Sequence, residues 1–269
     1  MKKSIKLFFI LNIIIFFSIK CDLINRLLNP TSPKKLNTVR AAVKLSNQNI
    51  PFLKNKNQTK FGEKPSIQYS GVVKFKYSWE LSNNDILSID LFVAETNELA
   101  NNYLTDKRQH CSIPMDIYVP QDNPAVVGDI SYGNGRQFIR DNILIEIRTD
   151  TSLIDIAMQI DSLILKSSIA VSAYFMKPKI IKYDIIQNPV QYQSVTRLII
   201  EVIDPMAGKL FYDWRFTPGS QNWGGIEIDS SGNYYYYAET NEPIEQLTLY
   251  AINDSGFYSF KTIYIEVES

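Results

Sequence analysis

Leu247-Thr248-Leu249-Tyr250-Ala251-Ile252-Asn253-Asp254-Ser255-Gly256-Phe257-Tyr258-Ser259-Phe260-Lys261-Thr262-Ile263-Tyr264-Ile265-Glu266-Val267 is the stretch whose reading decides the fold. Leu247, Leu249 and Ala251 alternate on one side of Asp254-Ser255-Gly256. Ser259, Lys261, Ile263, Ile265 and Val267 alternate on the other. Successive side chains of a strand point to opposite faces, so period two on both flanks of a glycine-bearing turn predicts a β-hairpin. The pattern extends upstream. Lys179–Ile186, Val195–Ile203, Lys209–Phe216, Gly225–Ile228 and Tyr234–Ala238 are short, rich in β-branched or aromatic residues, and without helical periodicity. Turn chemistry separates them, at Asp204-Pro205, Pro218-Gly219 and Ser231-Gly232-Asn233.

Counting the hairpin's two arms, residues 178–269 hold seven short strands, the number expected of an immunoglobulin-like β-sandwich. Tyr212-Asp213-Trp214-Arg215-Phe216 resembles the strand that carries the core tryptophan of such sandwiches. The closing hairpin resembles that of bacterial immunoglobulin-like or PKD-type modules. That resemblance implies an all-β sandwich and no particular activity, because the fold hosts many roles. Asp254-x-Gly256-x-Tyr258 also fits a tyrosine-corner motif, but only one strand follows it and Phe260 stands where a disulfide cysteine belongs.

Residues 65–177 read differently. Val73, Phe75, Tyr77 and Trp79 share one face of a strand predicted over 67–81, and Ile89, Leu91 and Val93 one face of a second over 86–94. Thr96 stands as an N-cap for a helix from Asn97 to about Arg108. Strands follow over 113–119, 126–132 and 138–148, the last with Ile143, Ile145 and Ile147 on one face. Ser152, with Asp155 three residues on, opens a second helix. Its Ile156, Ala157, Ile160, Leu163 and Ile164 form an apolar stripe. Strands with two helices predict an α+β domain, an antiparallel sheet with helices laid on it. Phe138-Ile139-Arg140-x-Asn142-Ile143-Leu144-Ile145 followed by Ala157-x-x-Ile160-Asp161 resembles an uncharacterised domain of exported bacterial proteins and implies no activity.

The opening of the chain speaks to destination. Lys2, Lys3 and Lys6 precede an apolar run from Leu7 to Phe17, the order of charges and core found in an export signal. The run is shorter than the ~20 residues a membrane span needs. Ser18-Ile19-Lys20-Cys21 resembles a bacterial lipobox and departs from it at Lys20, where a small residue belongs. The resemblance implies signal removal over 1–21, acylation of Cys21, and a membrane-anchored protein at the bacterial cell envelope or surface. Residues 22–64 are rich in Lys, Asn and Pro and lack periodicity. They read as a basic, poorly structured tether with at most a short helix over 36–45.

Composition removes several function classes. Lys plus Arg and Asp plus Glu are 28 each, so nothing in the balance points to nucleic acid. The single histidine, His110, adjoins Cys111; neighbours diverge in helix and strand alike, which disfavours a thiol–imidazole dyad. One histidine and two cysteines assemble neither a Ser-His-Asp triad nor a zinc site, and no cofactor or metal is expected. Gly133-Asn134-Gly135 reads as a hairpin turn, not a phosphate loop, and Asp229-Ser230-Ser231-Gly232-Asn233 as a turn with too few oxygens for calcium. No catalytic residue is assigned.

The feature above background is aromatic. Tyr234 to Tyr237 run four in a row, so two must face away from a sandwich core, and Trp223 sits beside Gly224-Gly225. Tyr and Trp join apolar area to a polar handle and are favoured at contact surfaces. Trp223, Tyr235 and Tyr237 are therefore the candidate binding surface. The expectation is a non-enzymatic, exported, lipid-anchored binding or adhesion module for a protein or glycan. An envelope hydrolase with acids in the inter-domain cleft and a purely structural spacer are the alternatives.

Overall fold

The computed structural model describes residues 38–50, 57–60, 64–80, 86–110, 121–149, 153–216, 225–239 and 243–268. The signal with Cys21, the 113–119 strand with Cys111, the Ser152 cap and Trp223 lie outside them. The described chain is mostly β-sheet with two helices. Thr38–Ser269 form one compact unit.

Its first half contains β1 (Val39–Arg40), β2 (Asn57–Lys60), β3 (Ser66–Tyr69), β4 (Val72–Glu80), β5 (Ile86–Ala94) and helix α1 (Asn97–His110). β6 (Ile130–Tyr132), β7 (Gln137–Arg140), β8 (Ile143–Arg148), helix α2 (Leu153–Leu165) and β9 (Ile169–Ala170) follow. Seven strands form one sheet in the order β2-β4-β5-β8-β7-β6, with β3 also on β4. The face carrying Val73, Phe75, Tyr77, Trp79, Ile89, Leu91, Val93 and the three isoleucines of β8 is buried, as alternation predicts. Helix α2 covers it with Ile156, Ala157, Ile160 and Ile164. The opposite face meets α1 through Val72, Phe92 and Leu144 against Ala100 and Leu104. The Thr96 hydroxyl caps α1 by accepting from the Leu99 N–H at 3.0 Å.

Four expectations are corrected. The strand predicted over 67–81 turns back at Ser70-Gly71, where Gly71 takes φ +79°, and becomes the β3–β4 hairpin. The strand predicted over 138–148 turns at Asp141-Asn142, with Asp141 at φ 53°, and becomes β7 and β8. The helix expected over 36–45 is absent from residues 38–45, and the tether character does not hold for residues 38–50. Val39, Leu45 and Ile50 are buried in the main core. Polar contacts hold this segment. The Asn142 Oδ1 accepts from the Arg40 N–H at 2.6 Å and its Nδ2 donates to the Arg40 and Ala94 carbonyls. The Ala42 N–H donates to the Ser255 carbonyl at 2.8 Å.

The second half comprises β10 (Lys179–Ile185), β11 (Val190–Gln191), β12 (Val195–Ile203), β13 (Leu210–Phe216), β14 (Gly225–Ile228), β15 (Tyr234–Tyr237), β16 (Ile244–Asn253) and β17 (Tyr258–Glu268). β11 is a short strand that sequence did not predict; it runs parallel to β17. Two four-stranded sheets, β10-β12-β15-β14 and β11-β17-β16-β13, face each other across a shared apolar cluster of Leu198, Tyr236, Leu247, Ile263 and Ile265. The outward row Phe211–Ile252–Tyr258 of the second sheet points the other way and joins the core of the first half. One core therefore crosses the boundary expected near residue 178. At its closest approach, Gly256 lies so near β5 that a Cβ there would sit 2.6 Å from a Val93 methyl. Among the described residues no helix is long and apolar enough to cross a membrane.

Candidate functional site

The tyrosine run lies on β15, an inner strand flanked by β12 and β14. Period two sorts it. Tyr234 and Tyr236 point into the sandwich, and Tyr235 and Tyr237 to its outer face. Tyr236 is fully buried, and its hydroxyl donates to the Glu245 carboxylate inside the sandwich. Burial and that hydrogen bond push the Tyr236 phenol well above the usual tyrosine range. Tyr234 packs its ring 5.4 Å from Tyr212 and 5.7 Å from Trp214. Burial, with Tyr212 beside it, raises its phenol to about 12. The inner pair is anchored in the core, and alternation along the strand sends Tyr235 and Tyr237 to the outer face.

On the outer face, Tyr235 stands opposite Arg197 of β12 and Glu227 of β14. Tyr237 stands opposite Val195 and Gly225. Gly225 carries no side chain, so it sets none against the flank of Tyr237. Val195 and Arg197 are exposed, and Ile199 is half-buried in the same row. The Tyr235 hydroxyl donates to the Asp229 Oδ2 at 3.2 Å, which orients the ring. Both Asp229 oxygens are engaged. Oδ1 accepts from the Ser231 and Asn233 N–H groups at 2.8 and 2.9 Å, and Oδ2 accepts from the Asn233 side chain at 2.7 Å. Those donors, the Asn233 side chain first, hold the Asp229 carboxyl below the usual range. The loop considered for calcium is thus an Asx turn that braces Tyr235. The result is a partly aromatic, partly aliphatic sheet face with Arg197, Glu227 and Asp229 at its margins.

The glycine turn also has an internal occupant. Asp122 accepts from the Asn134 and Gly135 N–H groups at 2.9 and 3.2 Å and from the Ser131 hydroxyl at 2.7 Å. A nest of backbone donors that suits an anion is filled by the protein's own carboxylate.

The hydrolase alternative needs paired acids in a cleft. A groove of about 530 Å³ runs between the halves, lined by Gly71, Glu95, Thr96, Lys177, Tyr258 and Phe260. Glu95 is its one carboxylate among the described residues, and it is paired with Lys177 at 2.8 Å. The Tyr258 hydroxyl accepts from the Gly71 N–H at 2.9 Å and closes the floor. Sequence reasoning missed this groove, because its walls come from four separate segments. Two carboxylates do meet elsewhere: Asp90 and Glu146 are cross-strand partners on β5 and β8. They are 2 % and 7 % exposed, and Asp90 is bound by Lys74 at 2.9 Å and Arg148 at 3.2 Å. That pair is a compensated buried cluster, closed to a polymeric substrate. Among the described residues no three His, Cys, Asp or Glu side chains group to hold a metal. His110 closes α1, and Cys111, Cys21 and Trp223 lie outside the described residues, so of the predicted surface Tyr235 and Tyr237 are the members brought together. No protein-family model matches the chain, and no curated protein matches it.

Proposed function

We propose that this chain is an exported, lipid-anchored, non-enzymatic binding protein of the bacterial envelope. Its α+β domain over residues 65–177 carries an immunoglobulin-like sandwich over 178–269. The sandwich offers its outer sheet face to a protein or glycan. The observation that supports this reading is the split of the tyrosine run. Tyr234 and Tyr236 are spent on the core, while Tyr235 and Tyr237 stand outward on an inner strand, Tyr235 braced by Asp229 and the pair bordered by Val195, Arg197 and Ile199. An aromatic ring held in place before contact, as Tyr235 is, loses little conformational freedom on binding, which favours affinity. Cys21 would be the acylated residue.

Two experiments test it. Mass spectrometry of the native protein should find a chain beginning at acylated Cys21; an intact Met1 in cytosol would sink the localisation. Tyr235→Ala with Tyr237→Ala should weaken binding to immobilised envelope polymers or a glycan array by ~30-fold or more, a single lost hot spot being worth about 2 kcal/mol. Unchanged binding by that double variant, with a native thermal transition, would leave the face without a role.

A further inference from the structure

The connection between α2 and β10 has a composition and a shape that neither core nor loop accounts for. From Leu165 to Lys182 the sequence holds four lysines (Lys166, Lys177, Lys179 and Lys182) and no acid. Ile169, Val171, Tyr174 and Phe175 are each more than half exposed. This is no loose loop. Ser172 caps a single 3-10 turn over Ala173–Phe175, its hydroxyl accepting from the Tyr174 N–H at 3.2 Å. Ala173 and Met176 are buried, and the Asn253 side chain donates to the Met176 carbonyl at 2.7 Å. The turn is pinned from behind and holds Tyr174 and Phe175 outward, edge to face at 5.6 Å. Lys179 lies over the Tyr174 ring at 5.5 Å. Ile203, paired with Lys179 across the strands, extends the apolar surface onto the sheet. Lys177 is paired with Glu95 and Lys182 with Glu201; Lys166 and Lys179 have no acidic partner among the described residues.

We propose that this corner is a second, non-covalent membrane contact: a foot that inserts Val171, Tyr174 and Phe175 into the interfacial region of an anionic bilayer while Lys166 and Lys179 meet its head groups. Aromatic and aliphatic tips flanked by lysines suit that boundary, where rings sit at head-group depth and long cations reach outward to phosphate. The path of the chain selects this occupant. β1, where the chain joins the compact unit, is hydrogen-bonded to β9 at Val39↔Ala170 and Arg40↔Ile169. Any anchor upstream of Thr38 therefore pulls on this corner. From Cys21 to Thr38 the chain spans at most about 60 Å even when fully extended. The inference rests on the envelope reading above and adds to it a surface that acts without the acyl chain.

The test uses residues 22–269, the chain that signal removal leaves without its acylated cysteine. That chain should co-sediment with phosphatidylethanolamine–phosphatidylglycerol vesicles and much less with phosphatidylcholine. Tyr174→Ser with Phe175→Ser should lower partitioning by ~10-fold or more. Lys166→Ala with Lys179→Ala should lower it on anionic vesicles alone, by roughly fivefold per lysine. Phe260→Ser with Tyr264→Ser, equally exposed but outside the foot, should leave it unchanged. Absence of vesicle binding by the parent, or equal binding by the Tyr174/Phe175 variant with a native circular-dichroism spectrum, would overturn the proposal. So would a concentration-dependent dimer that this variant abolishes, which would assign the corner to a second copy of the chain. Acylation of Cys21 is read separately, by the mass of the native protein, so either idea can fail without the other.

Discussion

Gly256→Ala tests whether the two halves are one solid. Gly256 sits at φ +90° in the β16–β17 turn, and a Cβ built there would lie 2.6 Å from the Val93 Cγ2 and 2.7 Å from the Val93 Cβ on β5. Two costs add. A left-handed backbone strains a non-glycine residue by about 1–2 kcal/mol. Forcing a methyl into a filled contact costs about 1–3 kcal/mol more. The expected loss is about 2–5 kcal/mol, read as a lower urea midpoint at unchanged slope. Gly232→Ala supplies the control: it has φ +82° and nothing within 4 Å of the added Cβ, so it should lose only the backbone share. Val93→Ala removes the nearer contact and leaves the Val93 Cβ in place. The double variant with Gly256→Ala should then show a coupling of about 0.5–3 kcal/mol relative to the single variants. The reasoning fails if Gly256→Ala costs no more than Gly232→Ala, or if the double variant is additive within about 0.5 kcal/mol. Either result would mean that the hairpin turn can lift from β5, and that the Phe211–Ile252–Tyr258 row does not fix the sandwich on the first half.

Two further outcomes follow from the core. Leu45→Ala should cost about 2–5 kcal/mol, because Leu45 is fully buried in the main cluster; a loss under about 0.5 kcal/mol in chemical denaturation would return residues 38–50 to the tether. Burial raises the Tyr77 phenol from 10.0 to about 12. Its contribution to stability is therefore complete below about pH 10 and lost as pH climbs toward 12, by about 2–3 kcal/mol in all. Tyr77→Phe should flatten the fall in urea midpoint over that alkaline range, and parallel curves for parent and variant would show that Tyr77 ionises freely in the folded chain.

Sequence periodicity located most strands but not the hairpins hidden inside long runs. Phe138 and Ile143 have opposite parity, yet both are buried in the main core, because the turn at Asp141-Asn142 makes Arg140 and Ile143 cross-strand partners. Asp-Asn is a turn dipeptide and the parity change was visible, so that break was legible in principle. The burial of residues 38–50 was not. Val39, Leu45 and Ile50 follow neither helical nor strand spacing, and what holds their segment, the main core together with Asn142 and Ser255, lies far along the chain. Composition reports Lys and Asn there and is blind to what docks on them. The same division holds for the sites. The outward pair Tyr235 and Tyr237 follows from alternation alone. The groove does not, since Gly71, Glu95, Lys177 and Tyr258 converge only after both halves have packed. In the foot, the buried Ala173 and Met176 flank Tyr174 and Phe175 and leave their rings outward, which nothing in the sequence pattern announced.

β12 serves as the ruler that relates the two proposed surfaces. Its Ile203 pairs with Lys179, at the edge of the foot, and its Val195 pairs with Tyr237, at the far end of the aromatic face. At ~3.3 Å per residue a strand running from 195 to 203 separates those ends by about 26 Å. That is roughly three screening lengths at physiological salt, so head-group charge at Lys179 would be strongly screened at Val195 and Tyr237, and less so at Arg197 and Tyr235, about 20 Å away. A bilayer seated on the foot would therefore act only weakly on the charge around the far end of the tyrosine face. On the two proposals above, membrane docking and ligand capture would use opposite ends of one strand, with the sandwich between them.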